Sequence, residues 1–243
     1  MVASLIAGDT AGRCIGLVFG DRIPFHGLWI DVNAAVPPRN RAMLFWGLYE
    51  SAECRFIRDH LSPHLPVLEC GSGIGAISSV IARTLAPGQQ LICVEGNPQL
   101  LSCLQTNVRR HGGHLTVQIV ESAIGHIDGT ADFLLADDNL CSHRTEDVPR
   151  DRVTEVTCTT LSTILGRQSW SAGWQLVADI EGGEAAVLLR DAESLKWCTR
   201  IIIELHETVY AGTRMSVEHL QSTILGLGFI VRARRGNVFV FDR

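Results

Sequence analysis

The stretch Val67-Leu68-Glu69-Cys70-Gly71-Ser72-Gly73-Ile74-Gly75 carries the reading of the fold. A short apolar run meets three glycines within five positions, and the period of the pattern then changes. Ile74, Ile77, Val80, Ile81 and Leu85 recur at helical spacing until Pro87-Gly88 stops them. The stretch therefore reads as strand, glycine turn and helix. Glycines at such a turn let the backbone bend sharply and approach a ligand where a Cβ would clash.

Working toward the C-terminus, strands and helices keep alternating. Residues 91–95 read as a second strand, and Asn97-Pro98 reads as the cap of a helix burying Leu100, Leu101, Leu104 and Val108. Strands are expected at 115–120, 131–136, 153–158, 175–180 and 200–205, with helices at 161–165 and 183–190. A last helix buries Val217, Leu220, Ile224 and Leu227, and residues 229–233 and 238–241 read as a terminal hairpin. The polar, aperiodic stretch 137–152 reads as a lid. Toward the N-terminus, apolar runs at 15–19 and 28–32 suggest a hairpin, and residues 39–61 turn helical with a break at Gly47. The expected class is α/β: a Rossmann-like, mostly parallel sheet with helices on both faces and an antiparallel terminal hairpin. Residues 1–62 would form a small cap and residues 63–243 the main domain. In such sheets ligands bind at the carboxyl ends of the strands.

Glu95 closes the second strand, 24 residues after Gly71. A carboxylate there can accept hydrogen bonds from both ribose hydroxyls, so turn and acid together imply an adenosine-type ligand. Gly71-Ser72-Gly73-Ile74-Gly75-Ala76 also satisfies the relaxed dinucleotide pattern, which leaves a nicotinamide oxidoreductase as an alternative. Glu69, just ahead of the glycines, suits a cationic amino-acid ligand better than a pyrophosphate. S-adenosyl-L-methionine carries an ammonium and a sulfonium and no phosphate, and is the favoured cofactor.

Composition sets the outer limits. With 243 residues, 46% of them apolar, and a net charge of −5, the chain is a mildly acidic globule rather than a nucleic-acid or anionic-membrane coat. The eight cysteines show no CxxC pairing, so no structural zinc site is expected. No apolar run reaches the roughly 20 residues of a membrane span, and a cytoplasmic location is the expectation.

At this point four segments, in order, resemble the FkbM family of S-adenosylmethionine-dependent methyltransferases. They are Gly47-Leu48-Tyr49-Glu50, the glycine stretch itself, Val94-Glu95-Gly96-Asn97-Pro98 with Leu104 and Asn107 following, and Asp179-Ile180-Glu181-Gly182-Gly183-Glu184. The strand ending in Glu204-Leu205-His206 resembles the one that follows that hallmark. Three positions depart from the pattern: Val177 where a lysine is common, Ser162 where an aspartate is common, and Gly96 in place of proline.

The resemblance implies a seven-stranded class I methyltransferase sheet. It also implies O-methylation of a hydroxyl on a glycan or secondary metabolite, with S-adenosyl-L-homocysteine as product. Asp179, Glu181 and His206 become candidates for taking the hydroxyl proton or orienting the acceptor, since a hydroxyl is a poor nucleophile without a base. Glu50, Glu69, Gly71, Ser72, Gly73, Gly75, Glu95, Gly96, Asn97, Ser122 and Ala123 become candidate cofactor contacts. Asp137-Asp138 read as a solvated part of the lid, and no metal is expected. The expected partner is a small-molecule or glycan acceptor, with no nucleic acid; monomer and homodimer stay open. A non-catalytic module that keeps the fold is the third reading, against which four inward acids speak.

Overall fold

A computed structural model describes residues 7–134 and 153–243. The chain opens with helix α1 (Asp9–Phe19), the hairpin β1 (Arg22–Phe25) and β2 (Leu28–Asp31), and helices α2 (Pro38–Phe45) and α3 (Ser51–His60). Then come β3 (Val67–Cys70), α4 (Ala76–Thr84), β4 (Gln90–Glu95), α5 (Leu101–His111) and β5 (Thr116–Glu121). Three strands follow, β6 (Ala123–Ile124), β7 (Gly129–Leu134) and β8 (Val153–Thr159), and then α6 (Leu161–Leu165). The last part runs β9 (Trp174–Ala178), α7 (Glu184–Arg190), a 3₁₀ turn (Ala192–Trp197) and β10 (Cys198–Glu204). It ends with the small hairpin β11 (Thr208–Tyr210) and β12 (Thr213–Met215), α8 (Val217–Gly226), β13 (Ile230–Arg235) and β14 (Val238–Asp242).

Seven strands form the central sheet in the order β13-β14-β10-β9-β3-β4-β5. The β9, β3, β4, β5 and β10 pairings are parallel, and β14 runs antiparallel to both β10 and β13. The mostly parallel sheet with an antiparallel terminal hairpin is as the alternating pattern implies, and its seven strands are as the resemblance implies. All four residues of β3 are buried, as a parallel strand covered on both faces requires. One face packs Val67, Cys93, Val177 and Ile202 against α3, α4 and α5. The other packs Leu68, Ile92, Leu176 and Ile203 against α6, α7 and α8. Ile23, Phe25 and Ile30 of the N-terminal hairpin belong to the first of these cores. Asn107 of α5, fully buried, fixes that hairpin: it accepts from the Asp31 N–H and donates to the carbonyls of Asp31 and Ile74.

Three expectations need correction. Residues 15–19 are not a strand but the end of α1; Ala11, Ile15 and Phe19, four apart, form the helical face that packs inward, while Leu17 and Val18 face water. The strands near 131–136 and 153–158 stand apart from the central sheet. With β6 they form a three-stranded side sheet in the order β6-β8-β7, where β8 runs parallel to β6 and antiparallel to β7. Asn97 does not cap α5, which begins at Leu101; its Oδ1 accepts from the Gln99 N–H in the preceding turn. The candidate lid, with Asp137-Asp138, lies outside the described residues. Among the described residues no helix is long and apolar enough to cross a membrane.

Candidate active site

Gly71, Gly73 and Gly75 have φ of +84°, +52° and +81°, all in the left-handed region. At Gly71 space is decisive too: a Cβ there would lie 1.8 Å from the carbonyl oxygen of Asp179. The turn thus runs directly over the end of β9. The Gly71 and Ser72 N–H groups both donate to the Val94 carbonyl at 3.0 Å, which locks the turn to β4. Glu95, only 4% exposed, accepts from the Gly73 N–H through Oε2 and from the Asn97 N–H through Oε1, both at 2.6 Å. Burial raises its pKa, and those backbone donors oppose the shift. A carboxylate has about four acceptor positions, so these bonds leave acceptor capacity for a ligand.

Glu95, Gly71 and Gly73 line a cavity of about 540 Å³ at the carboxyl ends of the strands, within the range of small-molecule sites. Gly96, Asn97, Ser122 and Ala123 line it as well. A Cβ on Gly96 would come within 3.1 Å of Ala123, so the end of β4 and the turn after β5 close on one another. Ser122 is tied down by its hydroxyl, which donates to the Ala123 and Thr157 carbonyls at 3.0 Å.

Glu69, Ser72 and Gly75 are placed differently: none of the three lines the cavity. Glu69 is buried and accepts from the hydroxyls of Ser72 and Ser78, which staples the turn to α4. Gly75 makes room for α5, since a Cβ there would sit 3.1 Å from the Leu104 side chain. Burial pushes the Glu69 pKa up to about 7, opposed by those two serine bonds. The charged form is disfavoured in the fold, so stability is undiminished below the ordinary value of 4.5 and falls as pH rises to about 7. Glu69→Gln is therefore expected to flatten thermal stability across that window, where wild type loses on the order of 3 kcal/mol. A variant with the wild-type slope would show that Glu69 does not carry it.

The opposite wall is acidic. Asp179 follows β9, Glu181 sits in the next turn at φ +48°, and Glu204 and His206 flank the end of β10. All four line the cavity together with Glu50. His206 Nε2 lies 3.5 Å from Glu181, 3.9 Å from Asp179 and 4.0 Å from Glu204. Its Nδ1 is 3.0 Å from Oε1 of Glu184, the first residue of α7. Burial works against a charged ring, but the Glu184 hydrogen bond and the charges of Glu184, Asp179 and Glu181 outweigh it and raise the pKa to about 9. Asp179 keeps 23% of its side-chain surface, yet its Oδ1 is buried without a hydrogen-bond partner among the described residues. Burial, then the Glu204 charge, holds its carboxyl well above the usual range. Glu50 is raised likewise by burial and by Asp179.

Sequence reading missed several of these neighbours. Glu53, three residues after Glu50 on α3, is buried and pushed up to about 7 by burial, with its carboxyl hydrogen-bonded to Glu204. Glu184 is fully buried, and Tyr49, Arg39, Asn40 and Met43 line the cavity. Glu184 and Tyr49 stood inside recognisable motifs; Glu53 carried no signal beyond its place on the inward face of α3. Asp179, Glu181 and His206 bring ligating atoms within 4.8 Å of one another. In the ligand-free protein the charged His206 ring itself offsets the neighbouring carboxylates.

A family model described as the methyltransferase FkbM domain matches residues 69–231. No relative is found among curated protein sequences. Among solved structures the chain is similar to a fibrillarin from Aeropyrum pernix with natively bound S-adenosyl-L-methionine, at 12% identity and TM-score 0.47, covering 93% of this chain and 82% of that one. It is also similar to a ribosomal protein L11 methylase from Lactobacillus delbrueckii subsp. bulgaricus, at 9% identity and TM-score 0.45, covering 80% and 77%. The O-methyltransferase TomG from Streptomyces achromogenes, involved in tomaymycin synthesis, gives 12% identity and TM-score 0.41, covering 78% and 75%. These structural likenesses are distant, whereas the family match spans more than half of the chain. The chain belongs to the FkbM family and is a methyltransferase that uses S-adenosylmethionine.

Proposed function

We propose that the enzyme methylates a hydroxyl group of a glycan or other small-molecule acceptor. The observation that supports it is the meeting, in one cavity, of the Glu95-glycine cradle and the Asp179, Glu181 and His206 group. The residues present fit the cofactor. Glu95 retains acceptor capacity for ribose hydroxyls, Gly73 leaves space that a Cβ would fill, and the acidic wall suits a cationic ligand. Gly96, Asn97, Ser122 and Ala123 would meet the adenosine side, and Glu50 the amino-acid side. When bound, the cofactor supplies an electrophilic methyl group on sulfur.

The chain's own task is positioning and proton handling. Holding acceptor and donor in line removes an entropic barrier that can amount to several kcal/mol. A base within reach of the hydroxyl contributes a further factor, typically 10²–10⁴. The unpartnered Oδ1 of Asp179 would orient the acceptor, because a hydroxyl donated to it would satisfy a buried acceptor. Residues 1–62 act as the cap on the acceptor side, where α2 presents Arg39, Asn40 and Met43 to the cavity. Residues 63–243, with Glu50 of the cap, hold the cofactor.

Incubation with labelled methyl donor and a panel of glycans and small alcohols should yield an O-methyl product; methyl found only on nitrogen or carbon would sink this reading. Asp179→Asn should lower turnover about ten- to a hundredfold while leaving S-adenosylhomocysteine affinity nearly intact by calorimetry. Normal turnover would remove Asp179 from the reaction.

A further inference from the structure

We infer that Glu184 is a positioning residue that fixes the His206 ring through Nδ1, so that Nε2 faces the acceptor hydroxyl and takes its proton. The inference rests on the O-methylation reading. Glu184 is fully buried, and among the described residues its carboxylate has His206 as its hydrogen-bond partner, at 3.0 Å, while Oε2 has none. A buried carboxylate left half-satisfied is costly and persists where something depends on it. In the neutral ring, a hydrogen bond from Nδ1–H to Glu184 leaves the Nε2 lone pair as the acceptor. Nε2 is the atom that looks toward Asp179, Glu181 and Glu204, which all line the cavity. The arrangement is that of a histidine base oriented by a buried acid. A plain packing role for Glu184, at the start of α7, would account for an acid near a helix N-terminus but not for its bond to the ring.

The step balances as one O–C bond formed and one S–C bond broken, its electron pair left on sulfur, with one proton moved from the hydroxyl to Nε2. The groups facing the ring are Glu184 from α7, Asp179 and Glu181 after β9, Glu204 from β10 and Glu53 from α3. In the cofactor-free protein they keep the ring charged up to about pH 9. A net-positive ligand in the same cavity lowers that value, which favours the neutral ring with its Nε2 lone pair.

Imidazole NMR on the ligand-free protein is the test. In wild type the His206 ring should titrate near 9 and its neutral form should carry the proton on Nδ1. Glu184→Gln should lower that titration by about one pH unit or more, and Glu184→Asp by less. Glu184→Asp also keeps the test open should the amide variant fold poorly. With the acceptor found by the labelled-donor panel, Glu184→Gln should cut turnover about tenfold and move the rising limb of the pH–rate profile, with S-adenosylhomocysteine affinity unchanged. His206→Asn should cut turnover at least about a hundredfold. An unmoved ring titration in both Glu184 variants would overturn the positioning role. O-methyl product at the wild-type rate from His206→Asn would overturn the base assignment and leave O-methylation standing. Failure of wild type to make any O-methyl product would overturn the underlying reading, while the ring titration would still report on Glu184.

Discussion

Glu95→Ala is expected to weaken S-adenosylmethionine binding by about 10²- to 10⁴-fold. The figure comes from two hydrogen bonds between ribose hydroxyls and a charged acceptor, at roughly 1.5–3 kcal/mol each, with about 1.4 kcal/mol per tenfold. Glu95 can make both because burial excludes water while backbone donors from Gly73 and Asn97 hold its oxygens in place. Removing the side chain also orphans those two N–H groups, so the ligand-free protein should melt a few degrees lower. Calorimetry on Glu95→Ala and Glu95→Gln separates the two effects: the amide keeps the shape and one acceptor oxygen and loses the charge. Affinity within about threefold of wild type in both variants would remove Glu95 from the ribose.

Much of this site could be read before any coordinates, for a physical reason. A strand that ends in a glycine turn and a strand that ends in an acid are local patterns, and a parallel sheet delivers their ends to one edge. Glu95, Asp179 and His206 meet in one cavity because each follows an apolar strand. Glu69 looked equivalent in sequence, yet it points away from the cavity to Ser72 and Ser78. Alternation along β3 decides this: Glu69 shares its face with Val67 and Cys93, under α4, and not with the open edge. One position of register separates a ligand contact from an internal staple. The acid Glu53 was out of reach for a different reason. It sits on a helix, and which helical face meets the sheet depends on packing across long sequence separations. Residues 15–19 misled through composition, since an apolar run reads as strand until the four-residue spacing of Ala11, Ile15 and Phe19 is given priority.

Gly71→Ala should be the most damaging single substitution in the cradle. A left-handed φ of +84° alone costs a side-chain-bearing residue about 1–2 kcal/mol. The larger effect is steric, because the new Cβ would overlap the Asp179 carbonyl oxygen at 1.8 Å, and neither partner is the end of a flexible side chain. Relief requires the turn and the end of β9 to separate, straining the bond from the Asp179 N–H to the Cys70 carbonyl and those from Gly71 and Ser72 to Val94. The cofactor cradle and the proton-handling wall touch at this point, so one methyl group should disturb both. We expect a loss of about 4 kcal/mol or more in stability and of over a thousandfold in cofactor affinity. Gly75→Ala provides the contrast: its φ is similarly +81°, but its Cβ would meet Leu104 Cδ1 at 3.1 Å and Asn107 Cβ and Leu104 Cα at 3.3 Å, contacts relieved by a shift of a few tenths of an ångström. That variant should lose about 1–2 kcal/mol and keep its cofactor affinity nearly intact. If thermal unfolding and calorimetry show the two variants equally impaired, left-handed geometry rather than close approach sets the cradle. If Gly71→Ala binds as wild type does, the contact between the turn and Asp179 does not hold the site together.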